Sequence, residues 1–177
     1  MNTRCFHALL IFVLCGGFAE AAQQSQDGRS LSAGAPIERE LAGGQTHTYR
    51  IALSAGQYAL AQAEQRGVNV TLTANAPDGK EFAAVDLCSG NEGVESLSFL
   101  AEASGEYTLK VASRNPKAAP GIYIVKISEL RAATDQDRAR VRAQAISYEA
   151  RALSMETTPE ARRKACLLYT SPSPRDS

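Results

Sequence analysis

Gly105-Glu106-Tyr107-Thr108-Leu109-Lys110-Val111 and Gly121-Ile122-Tyr123-Ile124-Val125-Lys126-Ile127 repeat one pattern, separated by a polar turn containing Asn115-Pro116 and Pro120. Each half is Gly-x-Tyr with an apolar residue at every second position. That period of two puts Tyr107, Leu109 and Val111 on one face of a strand, and Tyr123, Val125 and Ile127 on one face of the next. A weaker copy stands earlier, at Gly56-Gln57-Tyr58-Ala59-Leu60. In each copy the glycine is read as leaving a turn and the tyrosine as pointing into a core. Three such units within about 70 residues predict a layered antiparallel β domain.

Outward from this stretch the same alternation recurs. Pro36-Ile37-Glu38-Arg39-Glu40-Leu41 is a short polar strand suited to an edge, and Gly43-Gly44 turns the chain. His47, Tyr49, Ile51 and Leu53 then share one face, with Thr48, Arg50 and Ala52 opposite. Val68, Val70, Leu72 and Ala74 oppose Asn69, Thr71 and Thr73, and Asn75-Ala76-Pro77-Asp78-Gly79 is a turn signal. Strands follow over 81–87 and 95–100, with a polar loop at 88–93. About eight strands between residues 36 and 130, spaced by Gly and Pro turns, predict a mainly β fold: an antiparallel, jelly-roll-like β-sandwich. Such a length closes two sheets around one core.

The two ends read differently. Arg4, an apolar run over 6–18 and Ala19-Glu20-Ala21 form a secretory signal over 1–21. The run falls short of the ~20 residues of a transmembrane helix. Val13 and Leu14 before Cys15 are too bulky for a lipobox. Residues 22–34, rich in Gln, Ser, Asp and Gly, read as a flexible lead-in. At the other end, residues 166–176 back-translate in one frame onto the transposase adapter of short-read library preparation. Residues 166–177 are therefore expected to be adapter read-through rather than natural sequence.

With those ends set aside, Cys88 is the one cysteine and His47 the one histidine, and the whole chain has no tryptophan. No intramolecular disulfide is then available. The formal net charge is zero, which gives no electrostatic reason to expect nucleic acid or an anionic membrane as partner.

After Ile127 the period changes. Thr134 with Asp137 three residues on is a helix start. Ala139, Ala143, Ile146, Ala150 and Leu153 then recur at steps of four and three, forming one narrow face of small residues for close packing. Thr157-Thr158-Pro159-Glu160 begins a second helix. Residues 134–165 thus read as a first helix and the stub of a second. One helix and a stub cannot bury that face, which predicts a stacked helical repeat that binds a protein partner.

The candidate chemical residues are few. His47 shares the phase of Tyr49 and Ile51 and reads as a hydrogen-bonded strand residue. No nucleophile elbow surrounds any serine, and no base–nucleophile pair is legible. Cys88 lies in a polar loop and is a candidate exposed thiol. Zinc would need three or four ligands that this chain lacks. Asp78, Asp86, Asn91 and Glu92 are candidate oxygens for calcium if their loops meet, although capping turns is the commoner role. Tyr49, Tyr107 and Tyr123 are expected to face inward. Asn69-Val70-Thr71 matches a glycosylation sequon but falls within a strand. No catalytic, cofactor-binding or metal-binding residue is assigned.

The strings 37–53, Ala55-Gly56-Gln57-Tyr58, 76–80 and 103–111 together resemble the bacterial pre-peptidase C-terminal domain, a small β-sandwich of exported proteins. The continuation over 127–138 resembles the junction at which such a domain precedes tetratricopeptide repeats, in proteins many of which end in a caspase-like CHAT domain. The resemblance covers residues 31–165 and rests on turn and core residues. It implies a sandwich over 35–130 serving as a non-catalytic accessory module of a larger exported protein. One alternative is the front of a caspase-like peptidase whose catalytic domain lies elsewhere. Another is a glycan-binding module using Tyr49 or Tyr58. The resemblance supplies no calcium ligand set.

Overall fold

The computed structural model describes residues 25–170 apart from residues 89 and 157. The expected signal over 1–21 and the tail beyond 170 lie outside the described residues. Nine strands and two helices follow in order: β1 (Ser25–Ser30), β2 (Ile37–Leu41), β3 (Thr46–Leu53), β4 (Gln57–Arg66), β5 (Val70–Asn75), β6 (Glu81–Val85), β7 (Glu92–Leu100), β8 (Gly105–Ser113), β9 (Gly121–Ala132), α1 (Asp135–Met155) and α2 (Pro159–Thr170). The strands form two sheets, β1-β3-β8-β5-β6 and β2-β9-β4-β7.

The interior between the sheets is built from the phases read in the sequence. Tyr107, Leu109, Val111, Tyr123, Val125 and Ile127 are each no more than 2% exposed. Tyr49, Ile51, Val70, Leu72, Leu97 and Phe99 pack with them. Burying each such side chain contributes roughly 1.5–3 kcal/mol, which makes this layer the main source of stability. A bulge at Leu60/Ala61 in the β4–β9 pairing shifts the phase of β9, so Leu130 rather than Glu129 packs against the core.

Three expectations are corrected. Residues 22–34 are not all a flexible lead-in. β1 pairs parallel with β3, the Leu31 amide donates to the Arg50 carbonyl at 2.8 Å, and Leu31 enters the core. Backbone pairing and one buried leucine hold a segment that has no apolar period. The sandwich is accordingly antiparallel except at this edge.

Tyr58 does not point between the sheets. In β4 it is Ala59, Ala61 and Ala63 that join the core. Tyr58 lies on the opposite face, fully buried, with the Arg131 guanidinium 4.8 Å from its ring centroid and its hydroxyl 3.3 Å from Arg140 of α1.

The glycines of the two best copies are not turn glycines. Neither Gly105 nor Gly121 has a positive φ. A Cβ on Gly121 would lie 2.5 Å from the Gly67 carbonyl carbon, and one on Gly105 would lie 2.7 Å from Pro77 Cγ. They are glycine because another segment passes against them. Only Gly56, at φ +79°, adopts the conformation expected.

The small-residue face of α1 is only partly used. Ala150 is buried and Leu153 half-buried, in a pair with α2 that also buries Ala161 and Ala165. Ala139, Ala143 and Ile146 are exposed. Among the described residues the expected repeat amounts to this one helix pair, tied by Lys164 Nζ to Glu149 Oε1 at 2.9 Å. α2 runs on past residue 165 to Thr170.

Candidate functional site

His47 is 4% exposed, and its Nδ1 lies 2.7 Å from the Tyr123 hydroxyl. The Tyr123 hydroxyl also pairs with that of Tyr49. Since His47 and Tyr49 belong to β3 and Tyr123 to β9, this polar triad bridges the two sheets inside the sandwich. Burial, reinforced by the Tyr49 hydrogen bond, pushes the Tyr123 hydroxyl far above the usual tyrosine range. A phenol so held stays neutral. The arrangement satisfies buried polar groups rather than presenting a base to solvent.

Cys88 sits beside the polar turn between β6 and β7. Its amide donates to Glu95 Oε1 at 2.6 Å, and the Leu87 amide donates to the same oxygen at 2.9 Å. Glu95 is fully buried, in phase with Leu97 and Phe99, and its carboxylate organises this loop. Burial first, and the nearby Glu95 charge second, push the Cys88 thiol above its ordinary value, which disfavours the nucleophilic thiolate. β3, which carries His47, and β6, which leads into Cys88, are separated by β8 and β5. Three strand spacings amount to about 14 Å, so the fold does not bring this histidine and this thiol together.

The acidic candidates are engaged in the chain itself. Asp78 Oδ1 accepts from the Lys80 amide at 2.9 Å within its turn, and Asn75 Nδ2 donates to the Gly79 carbonyl at 2.9 Å. Asp86 pairs with Arg114. Glu92 Oε1 and the Asn91 carbonyl both accept from the Gly67 amide. The Asp78 and Asn75 contacts cap their own turn, whereas Asp86 and Glu92 tie together segments distant in sequence. Among the described residues no three His, Cys, Asp or Glu side chains gather as metal ligands. The tyrosine platform for glycans is corrected: Tyr49 and Tyr58 are both fully buried, one between the sheets and the other beneath α1.

Two arrangements escaped sequence reasoning. The first is the docking of α1. Gln144 Oε1 accepts from the Ser98 amide at 2.9 Å and its Nε2 donates to the Ser98 carbonyl at 3.1 Å. Thr134 and Asp137 form a reciprocal capping box, and Arg131 grips Asp137 through both of its terminal nitrogens. The second is a groove of about 600 Å³ on the outer face of the larger sheet. Its floor follows from register: Thr48 and Thr73 flank Lys110 in one row, and Arg50 and Asn75 flank Thr108 in the next. The polar phases of β3, β5 and β8 signal such a face, but only the strand order sets it in a grid.

No family model matches the chain, and no curated protein does. Among solved structures, the chain is similar to the pre-peptidase C-terminal domain of collagenase from Bacillus anthracis, with 14% identity, TM-score 0.47, and 60% of this chain and 99% of that chain covered. It is similar to PliG of Aeromonas hydrophila, a periplasmic inhibitor of g-type lysozyme, with 17% identity, TM-score 0.42, and coverage of 57% and 96%. It is also similar to CorA, a surface-associated copper-binding protein of Methylomicrobium album BG8, with 10% identity, TM-score 0.46, and coverage of 60% and 99%.

Proposed function

We propose that this chain is a non-catalytic accessory module of a larger exported bacterial protein. In this reading a β-sandwich supports a helix pair that contacts a protein partner. The observation that carries it is the fate of the candidate reactive groups. His47 is sealed between the sheets against Tyr123, and the Cys88 thiol is raised and held near a buried carboxylate. Bond-breaking by nucleophilic attack needs a base and a nucleophile within hydrogen-bond reach, and these two stand strands apart. The exposed Ala139, Ala143 and Ile146 leave α1 with an unfilled face, as helices that stack in series do.

Export rests on the signal-like residues 1–21. No helix among the described residues is long and apolar enough to cross a membrane. The test is turnover. Purified protein incubated with fluorogenic peptide, ester and glycoside panels is expected to match a His47→Ala/Cys88→Ala variant. Turnover lost in that variant would overturn the reading. Sequencing the intact locus past residue 165 separates a helical-repeat continuation from a caspase-like peptidase, by the absence or presence of a Cys/His domain.

A further inference from the structure

We infer that the groove on the outer face of the five-stranded sheet binds a carboxylate-bearing polysaccharide, a polyuronate, with Lys110 as the anchor of the sugar acid. Lys110 is half-buried on the central strand β8, between Thr48 on β3 and Thr73 on β5. Among the described residues its ammonium has neither an ion pair nor a hydrogen bond. A half-buried ammonium flanked by hydroxyls is a ready counter-charge for a carboxylate, with the hydroxyls able to donate to its second oxygen. Thr108 and Arg50 extend the same face by one row, and Arg50 is steadied by donating to the Gly28 carbonyl at 2.8 Å.

The chemistry of the floor selects among anions. A groove of about 600 Å³ is of ligand size. Its central strands spend their amides on the ladder, so no nest of free N–H groups exists for a phosphate. The lining contains no aromatic ring on which a nucleobase would stack. An acidic peptide docks best along an open strand edge, where main-chain bonds are available, whereas this is the face of a sheet. What the floor offers is side-chain hydroxyls at strand spacing, threonine methyls and two cations, Lys110 and Arg50, with one carboxylate, Glu81, at the β6 side of the groove. Those suit a sugar chain with hydroxyls, C–H faces and a carboxylate. The inference stands apart from the reading as a partner-binding module, since it concerns the opposite surface of the sandwich from α1.

The test is affinity electrophoresis of the full chain in native gels containing polygalacturonate, its methyl ester, dextran or poly-glutamate. Retardation by polygalacturonate alone is expected, with about tenfold weaker binding for Lys110→Ala, the scale of one lost charge-assisted contact. Thr73→Val, which keeps the side-chain shape, is expected to weaken binding to a lesser degree, and unchanged thermal melts would exclude misfolding as the cause. Four results would overturn the inference: no retardation by polygalacturonate, equal retardation by the methyl ester, equal retardation by poly-glutamate, or full binding by Lys110→Ala.

Discussion

The side-chain amide of Gln144 pairs with both backbone groups of Ser98, occupying the open edge of β7 as a neighbouring strand would. An edge strand left bare is a template for unwanted pairing. Here a helix three residues beyond the sandwich covers it with one glutamine. Gln144→Ala is expected to leave the core intact and to speed hydrogen exchange at the Ser98 amide at least tenfold, while the Leu109 amide is unchanged. NMR exchange rates check this; equal protection of Ser98 in both proteins would refute the pairing.

Tyr123 links His47 and Tyr49 across the two layers, and Tyr123→Phe removes that link. Two buried polar groups then lose a partner, which costs about 1–3 kcal/mol. Chemical unfolding measures it. The sign with pH follows from the raised hydroxyl. The folded chain keeps this proton where the unfolded chain, with an ordinary tyrosine near ~10, releases it. The stabilisation is therefore complete below pH ~10 and falls as pH rises further, by up to about 1.4 kcal/mol per pH unit from this group. Tyr123→Phe is expected to flatten that alkaline slope.

Asp137 behaves in the opposite sense. The Arg131 guanidinium, with Thr134 second, holds its carboxyl well below the usual carboxylate range. Its contribution is present above the unfolded value near pH ~3.9 and is lost as pH falls below it. Helical circular dichroism is expected to decline at acid pH more steeply in the parent than in Asp137→Asn, which begins with a weaker cap.

Gly121→Ala tests close approach. The added methyl meets the backbone at Gly67 and Val68, which cannot swing aside as a side-chain tip can. A loss of about 1–3 kcal/mol is expected. Gly56→Ala has open space but a positive φ, and about 1–2 kcal/mol is expected there. Equal stability of Gly121→Ala and parent in thermal melts would show that the two segments do not touch.

Cys88 is expected to react slowly with thiol reagents at neutral pH. Glu95→Gln removes one of the influences that raise the thiol, so labelling should accelerate. A slower or unchanged rate would show that the carboxylate does not act on Cys88.

The strands from β2 to β9 are legible because apolar side chains alternate strongly along β3, β5, β8 and β9 and because Gly and Pro turns mark off the weaker ones. β1 is not, because Ser25–Ser30 is polar throughout and is held by its backbone against β3. Tyr58 was misread because the side chains truly facing inward on β4 are alanines, whose apolar signal is faint beside a tyrosine. The inward setting of His47 was visible in its phase with Tyr49, but its partner Tyr123 stands 76 residues away, and nothing local announces it. The capping box of α1 could be read directly, whereas the role of Gln144 depends on where the helix lands. Nothing local in the sequence distinguishes Lys110; strand order alone sets threonines on both sides of it.

β8 lies between β3 and β5, and β9 between β2 and β4. A ribosome therefore delivers the middle strand of each layer last. Until residues 105–132 emerge, the earlier segments comprise two separate ribbons of one layer, and one ribbon plus an orphan strand of the other. Assembly must wait for nearly the whole domain, a schedule that keeps the thread open for as long as it is being made.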